Sequence, residues 1–132
     1  MATHGQAGPT IFAPTMDGCA ERQGGLRVGI TATTMAKEVV DLFFYEDLED
    51  VILTGTSSGG IIISKAAELA REKIRHLVYI DALAPQPGET VADIVIRGPN
   101  PEPYEETEFA SGPSQEGMSA RLFADLEPNL KK

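Results

Sequence analysis

Two short apolar segments, separated by a helical pattern, form the most regular part of the chain. Residues 51–54 are apolar or β-branched, which favours a strand buried on both faces of a parallel sheet. Residues 61–73 repeat apolar side chains over a wide helical face, and residues 75–80 predict a second strand that ends at Asp81. Strand, helix and strand in this order predict a βαβ unit, so we expect parallel strands joined by a right-handed crossover.

The segments before this unit carry weaker patterns. Residues 10–15 predict a short strand, and residues 17–29, which are rich in glycine and charge, predict a loop. Apolar residues then recur at helical spacing, so a helix is expected from a cap at Thr33 or Thr34 to about Tyr45.

The pattern becomes irregular toward the carboxyl end, where prolines and an acidic run accumulate. Residues 91–96 predict one helical turn or a short strand, and residues 119–126 predict a short helix. We therefore divide the chain into a disordered N-terminus over residues 1–9, a folded core over residues 10–97 and a proline-rich acidic tail or lid over residues 98–132.

Composition narrows the class of protein. A length of 132 residues allows one domain at most, and an apolar fraction of 42% is ordinary for a soluble globular protein that buries a core. Eleven basic against twenty acidic residues give a net charge of −9, which excludes nucleic acid and anionic membrane surfaces as partners. Cys19 is the single cysteine, and no signal peptide or membrane-spanning stretch is present, so a cytoplasmic protein is expected. We expect no cofactor and no metal.

A G-x-S-x-G motif lies between the predicted strand and the predicted helix. Its residues are Gly55, Thr56, Ser57, Ser58 and Gly59. A sharp strand-to-helix reversal strains the backbone at the serine, and glycines two residues to either side let neighbouring backbone approach. The Ser57 hydroxyl would be exposed at the carboxyl end of the sheet, beside the Ser58 N–H at the helix N-terminus. The motif therefore predicts Ser57 as a nucleophile and Ser58 as an oxyanion-hole donor.

A glycine-rich turn between a strand and a helix can also cradle a phosphate. The phosphate-loop pattern with Gly-Lys-Ser/Thr is absent, and so is G-x-G-x-x-G. A flavodoxin-like anion binder therefore stays as the weaker alternative.

Three segments resemble esterases of the α/β-hydrolase superfamily. Residues 13–22 are similar to the loop before the helix that leads to the nucleophile, residues 46–63 to the nucleophile region and residues 75–85 to the strand after it. The similarity spans about residues 10–93 and points to small bacterial esterases related to plant methylesterases and hydroxynitrile lyases. It implies a partial α/β-hydrolase fold, a parallel sheet with flanking helices, over residues 10–97.

The resemblance also implies a serine hydrolase that acts on a carboxylic ester or a related acyl bond of a small molecule. Hydroxynitrile lyase chemistry uses the same scaffold and remains an alternative. Two positions depart from the family pattern: Thr56 stands where a histidine is usual, and Ser58 stands where a large residue is usual. We expect these two changes to alter the shape of the pocket and to leave the geometry of the strand-to-helix turn intact.

A serine nucleophile needs a base, usually a histidine, and that base needs an orienting carboxylate. The chain has two histidines, His4 and His76. His4 lies in the segment expected to be disordered, and His76 starts a strand at the opposite end of the sheet from Ser57. Asp81 ends the strand next to that of the nucleophile, so it is the candidate catalytic acid, although a loop or capping role is as common there.

The resemblance covers about three strands of a sheet that has eight in the family, and the usual histidine has no counterpart. A sheet with such a gap leaves backbone donors and acceptors unpaired. A second polypeptide or a homo-oligomer could complete the fold and bring the histidine. The other readings are a fragment, a different strand order, and a non-catalytic binding or interaction module that kept the scaffold.

Overall fold

The structure is a computed structural model that describes residues 8–91, 93–94, 104–106, 111–113, 116, 120, 124 and 125. The helices and strands follow the order predicted for an α/β unit. Their bounds are a 3-10 helix Ala20–Gly25, α1 Ala32–Tyr45, β1 Val51–Ser57, α2 Gly59–Leu69, a 3-10 helix Arg71–Lys73, β2 Ile74–Ala82, β3 Tyr104–Glu106 and β4 Ser111–Pro113. Strands β3 and β4 pair with each other in an antiparallel ladder.

Strands β1 and β2 form a parallel pair, as the βαβ pattern predicts. Leu53 is opposite Leu77 and Gly55 is opposite Tyr79. The connection between the strands consists of α2 and the short 3-10 helix that follows it. The predicted α/β class, with a parallel sheet and flanking helices, is confirmed.

The core lies between the two long helices and one face of the β1–β2 sheet. Its buried members from α1 are Ala36, Val39 and Phe43, and those from α2 and its end are Ala66 and Ala70. The strands contribute partly buried side chains, among them Val51, Leu53 and Ile74. Small alanines on both helices let their backbones approach closely while Phe43 fills the space beside them.

The other face of the sheet is uncovered within the described part of the chain. Ile52 is 60% exposed, Ile80 53% and Val78 38%. Both helices pack on the opposite side, so these apolar side chains have nothing above them. The expectation that residues 51–54 are buried on both faces is therefore wrong for the described structure.

Residues 10–15 do not form the predicted strand. They run in an irregular conformation, and the Ile11 side chain is 73% exposed. A strand needs a neighbour to pair its backbone groups, and no described strand lies beside this segment. The β-branched residues of this segment favour a strand, but the segment stays irregular because no described strand pairs with it.

Helix α1 begins earlier than predicted, with Thr31 as its N-cap. The Thr34 N–H donates to Thr31 Oγ1 over 3.2 Å, and the Thr31 N–H donates to Thr34 Oγ1 over 2.8 Å. This reciprocal capping box satisfies two backbone donors at the helix start. Thr34 is therefore the return partner of the cap, and Thr33 is not the cap.

Other boundaries shift by a few residues. The predicted helix over residues 61–73 is divided into α2 and a short 3-10 helix. Strand β1 extends past residue 54 through the first three residues of the G-x-S-x-G motif and ends at Ser57. Residues 17–29, predicted as a loop, contain a 3-10 helix. Val91, Asp93 and Ile94 are helical, as one of the two alternatives for that segment predicts. Cys19 is exposed.

Most of residues 98–132, together with residues 1–7 and hence His4, lie outside the described residues, so the predicted tail and disordered N-terminus stay predictions. The short helix predicted over residues 119–126 is described only at Ala120, which is helical, and at residues 124 and 125, which form a turn. Among the described residues, no helix is both long and apolar enough to cross a membrane.

A charged network ties the segment before α1 to that helix. The Arg22 guanidinium donates to Glu38 Oε1 over 2.8 Å and to the Thr15 carbonyl over 2.8 Å. The Asp17 N–H donates to Glu38 Oε2 over 2.9 Å, and Arg27 pairs with the Asp17 carboxylate at 2.7 Å. The Arg22 hydrogen bond lowers the pKa of Glu38, and the Arg27 hydrogen bond lowers that of Asp17.

Candidate functional site

Ser57 is the last residue of β1 and has a left-handed backbone conformation, with φ of +49°. Ser58 follows with φ of −61° and ψ of −19° and caps α2, which begins at Gly59. Serine rarely adopts a positive φ, so the surrounding structure must hold it there. The chain therefore turns from strand to helix within a single residue, and the Ser57 side chain is exposed at the carboxyl end of β1.

Close backbone packing around this turn depends on two glycines. A Cβ at Gly55 would lie 2.8 Å from the Gly59 carbonyl carbon and oxygen, and one at Gly60 would lie 2.1 Å from the Leu83 carbonyl oxygen. A Cβ at Gly59 would meet nothing within 4 Å. The prediction that both flanking glycines of the motif are sterically required is right for Gly55 and wrong for Gly59. The second required glycine is Gly60.

Asp81 lies beside Ser57 at the end of β2. Thr56 is opposite Ile80 and Ser57 is opposite Ala82, so Asp81 is an extra residue that bulges from the ladder. Its φ is +44°, a conformation that aspartate tolerates better than most residues. The Leu83 N–H donates to the Ser57 carbonyl over 2.9 Å and fixes the two strand ends together.

The structure therefore brings Ser57 and Asp81 to the same edge of the sheet, on strands about 4.8 Å apart. Both side chains are exposed. The first backbone N–H groups of α2, beginning at its N-cap Ser58, are left outside the hydrogen-bond ladder of the helix. Such N–H groups, together with the helix dipole, favour negative charge at this point. The chemical roles of Ser57, Ser58 and Asp81 stay predictions.

His76 lies at the other end of the sheet. It pairs with Ile52, five residues before Ser57 on β1, which corresponds to roughly 16 Å along the strand. It is exposed and lines a cleft of about 380 Å³ together with Arg71 and Arg75. No histidine of the described residues therefore approaches Ser57, as the βαβ topology predicts.

The described residues hold no cluster of three or more histidine, cysteine, aspartate or glutamate side chains that could bind a metal ion. The groups that the described residues bring to the Ser57 turn are a hydroxyl, a carboxylate and backbone amides.

Sequence reasoning missed the contact between α2 and β2. Ser64 Oγ donates to the Gly60 carbonyl over 2.7 Å and lies 2.7 Å from the Tyr79 hydroxyl. The doubled glycine after the serine motif could have indicated close packing at Gly60. Nothing in the sequence pattern pairs Ser64 with Tyr79, because that contact depends on how the helix lies over the strand.

Comparison with known proteins gives two matches, and no protein-family profile matches the chain. A carbendazim hydrolyzing esterase from Nocardioides sp. (strain SG-4G) is 34% identical over 97 residues, which cover 74% of this chain and 40% of the relative. A solved extracellular α/β-hydrolase from a Paenibacillus species, described as sharing structural and functional homology with tobacco salicylic acid binding protein 2, has a TM-score of 0.58 at 33% identity. That match covers 64% of this chain and 34% of the other.

Fold and similarity together define the class: the chain carries part of an α/β-hydrolase fold. It belongs, as a partial chain, to the α/β-hydrolase superfamily, as the resemblance of its sequence predicts. It spans about two fifths of the length of the esterase and about a third of the solved hydrolase.

Proposed function

We propose that this chain carries the nucleophile of a serine hydrolase that acts on a carboxylic ester or a related acyl bond. The observation that carries the proposal is Ser57, held at a positive φ between β1 and α2 with an exposed side chain. That backbone geometry is the one a nucleophile elbow requires. The similarity to a protein described as an esterase supports the class of reaction.

In the proposed reaction, Ser57 Oγ attacks the carbonyl carbon of the ester while a histidine takes the hydroxyl proton. The carbonyl oxygen becomes an oxyanion, and the Ser58 N–H donates a hydrogen bond to it. The C–O bond to the alcohol then breaks, and the histidine returns the proton to the leaving oxygen. Water then attacks the acyl carbon while the histidine takes its proton. The bond to Ser57 Oγ breaks, the histidine returns the proton to Oγ, and the carboxylic acid leaves.

Asp81 is the carboxylate we assign to orienting that histidine. Its support is positional: it ends the strand next to β1, and its bulge lies opposite the step from Thr56 to Ser57. A carboxylate at that edge could hold the imidazole in the tautomer that accepts the serine proton.

We further propose that the histidine and the remaining strands come from a second polypeptide. Parallel sheets are covered on both faces, whereas the described β1–β2 sheet exposes Ile52, Val78 and Ile80. Native mass spectrometry of the purified active species tests this: a heteromeric mass is expected, and a mass made up of copies of this chain alone would favour a homo-oligomer.

A small-molecule ester is the proposed substrate class, because the esterase relative supports that chemistry. A cytoplasmic location also stays a proposal.

A fluorophosphonate probe tests the nucleophile directly, because it reacts with activated serine hydroxyls. We expect labelling of Ser57 in the active species, complete loss of labelling in Ser57→Ala and its retention in the neighbouring control Ser58→Ala. Ser58→Ala keeps the backbone N–H assigned to the oxyanion hole. Equal labelling of Ser57→Ala and the parent would refute the assignment.

The second candidate is a non-catalytic binding module that kept the hydrolase scaffold. It is favoured by one observation: His76 lies at the far end of the sheet, and no other described residue is a histidine. Binding of a small apolar ligand without turnover, by the active-site edge of the intact protein, would support it. Esterase activity that disappears in Ser57→Ala would count against it.

A further inference from the structure

Two successive hydrogen bonds link β2 to the first turn of α2, the helix that follows Ser57. Ser64 Oγ is 2.7 Å from both the Gly60 carbonyl oxygen and the Tyr79 hydroxyl. A carbonyl can only accept, and a serine hydroxyl has a single proton to donate. Ser64 therefore donates to Gly60, and Tyr79 donates to Ser64. The donor and acceptor capacities of these groups therefore fix the direction of donation, from Tyr79 to Ser64 and from Ser64 to Gly60.

A serine that donates to the carbonyl four residues earlier is common in helices and by itself means little. Here the same hydroxyl also accepts from a residue on another element. Tyr79 is on β2, opposite Gly55 of β1, and its side chain is 40% exposed. The link therefore joins the helix to the sheet across a surface that is partly open to water.

The same turn of α2 is held by contacts on its other sides. It lies so close to β1 that a Cβ at Gly55 would be 2.8 Å from the Gly59 carbonyl, and so close to Leu83 that a Cβ at Gly60 would be 2.1 Å from its oxygen. The Leu83 N–H in turn holds the Ser57 carbonyl. Van der Waals contact limits how near the turn can come, and the Ser64–Tyr79 link adds a directional contact between α2 and β2.

We propose that Tyr79 and Ser64 are positioning residues for the Ser57 site, a proposal that rests on the proposed function. Through Gly60 they fix the first turn of α2, and with it the Ser58 N–H, relative to the Ser57 hydroxyl. In this proposal both side chains act through the backbone of α2 and make no contact with the substrate. An oxyanion donor stabilises the transition state only when it points at the place where the charge develops, so its alignment affects the chemical step more than ground-state binding.

The test compares Tyr79→Phe, Ser64→Ala and Ser64→Thr in the full chain as it occurs in the active species. Tyr45→Phe is the matched control, since it removes an exposed tyrosine hydroxyl from α1. We expect Tyr79→Phe and Ser64→Ala to lower kcat about tenfold with little change in KM, less than the 10²–10³ lost when an oxyanion donor is removed outright. Ser64→Thr keeps the hydroxyl and should restore most of the rate, and Tyr45→Phe should match the parent.

Hydrogen exchange of the Ile61 and Leu83 amides, which donate to the Ser58 and Ser57 carbonyls, gives a readout that does not need catalysis. It should become faster in Tyr79→Phe and Ser64→Ala and stay at the parent rate in Tyr45→Phe. Unchanged exchange would overturn the proposal, as would a rise in KM at constant kcat or a failure of Ser64→Thr to rescue. If exchange becomes faster in both variants while the parent shows no serine reactivity, the positioning role stands and the proposed hydrolase function is what fails.

Discussion

The two faces of the β1–β2 sheet both carry apolar side chains but have opposite surroundings. On one face, α1 and α2 bury Phe43 to 3% exposure and Ala66 to 0%. On the other face, Ile52 and Ile80 remain more than half exposed. Both faces carry aliphatic side chains, so hydrophobicity alone does not distinguish them.

The difference shows which face of the sheet is packed by the described helices and which face is not. The helix-covered face is packed by elements that are local in sequence, from α1 to β2. The uncovered face has no such packing among the described residues, and it is the surface on which the proposed second polypeptide would pack. Variants on the two faces should therefore behave differently, and so should variants at the turn between them.

The largest effect is expected for Phe43→Ala on the covered face. Removing a buried aromatic side chain leaves a cavity between α1 and α2 and should lower the free energy of unfolding by about 3–5 kcal/mol. Chemical denaturation followed by circular dichroism measures this. Phe44→Ala is the control, because Phe44 is 76% exposed on the same helix and should change stability far less. Equal losses would mean that the described core is not the stabilising one.

The next largest effect is expected for Gly60→Ala at the turn. The added methyl would meet the Leu83 carbonyl oxygen at 2.1 Å, so the first turn of α2 must move. We expect a loss of about 1–3 kcal/mol and a fall in any Ser57 reactivity. Gly59→Ala is the matched control: its Cβ meets nothing within 4 Å, and stability should be unchanged or raised by up to about 1 kcal/mol. A reversed order of the two variants would contradict the packing described.

A smaller, pH-dependent effect is expected for Glu38→Gln, away from both faces. The Arg22 hydrogen bond lowers the pKa of Glu38, so the folded protein binds fewer protons at this site than the unfolded chain. Its stabilisation is complete above the unfolded pKa, about 4.3, and is lost as the pH falls through the lower folded value. Thermal unfolding at several pH values should show that Glu38→Gln is less stable than the parent at pH 7 and that the two converge toward pH 3.

The matched variant for this prediction is Arg22→Gln, which removes the other partner of the same ion pair. Its loss of stability at pH 7 should likewise shrink toward pH 3. A pH-independent gap for Glu38→Gln would show that the network with Arg22 contributes packing and no charge-dependent stability.

The smallest effect is expected for Ile80→Lys on the uncovered face. In the isolated chain the side chain is already 53% exposed, so the free energy of unfolding should change by only about 0.5 kcal/mol. If the proposed second polypeptide packs on this face, the same variant should weaken its assembly with this chain, which native mass spectrometry would detect. A strong loss of stability in the isolated chain would mean that this face is already covered.

Much of the candidate site could be predicted from local pattern. The strand–helix–strand order and the G-x-S-x-G spacing were enough to put Ser57 at the bend, because both depend on neighbours in sequence. The strand predicted over residues 10–15 failed for the opposite reason, since a strand exists only with a partner. The cap of α1 was misplaced by a few residues because three closely spaced threonines, Thr31, Thr33 and Thr34, can each serve as a cap.

The sequence by itself therefore determined the class of fold, the order of its central elements, the serine at the turn and the distance of His76 from it. Only the tertiary structure decided that Gly60 is the second required glycine, that Asp81 bulges beside Ser57, and that Ser64 is linked to Tyr79. The physical reason is that these features depend on the register of β1 against β2 and on how closely α2 approaches them. Such contacts join residues distant in sequence, and no periodic pattern along the chain specifies them.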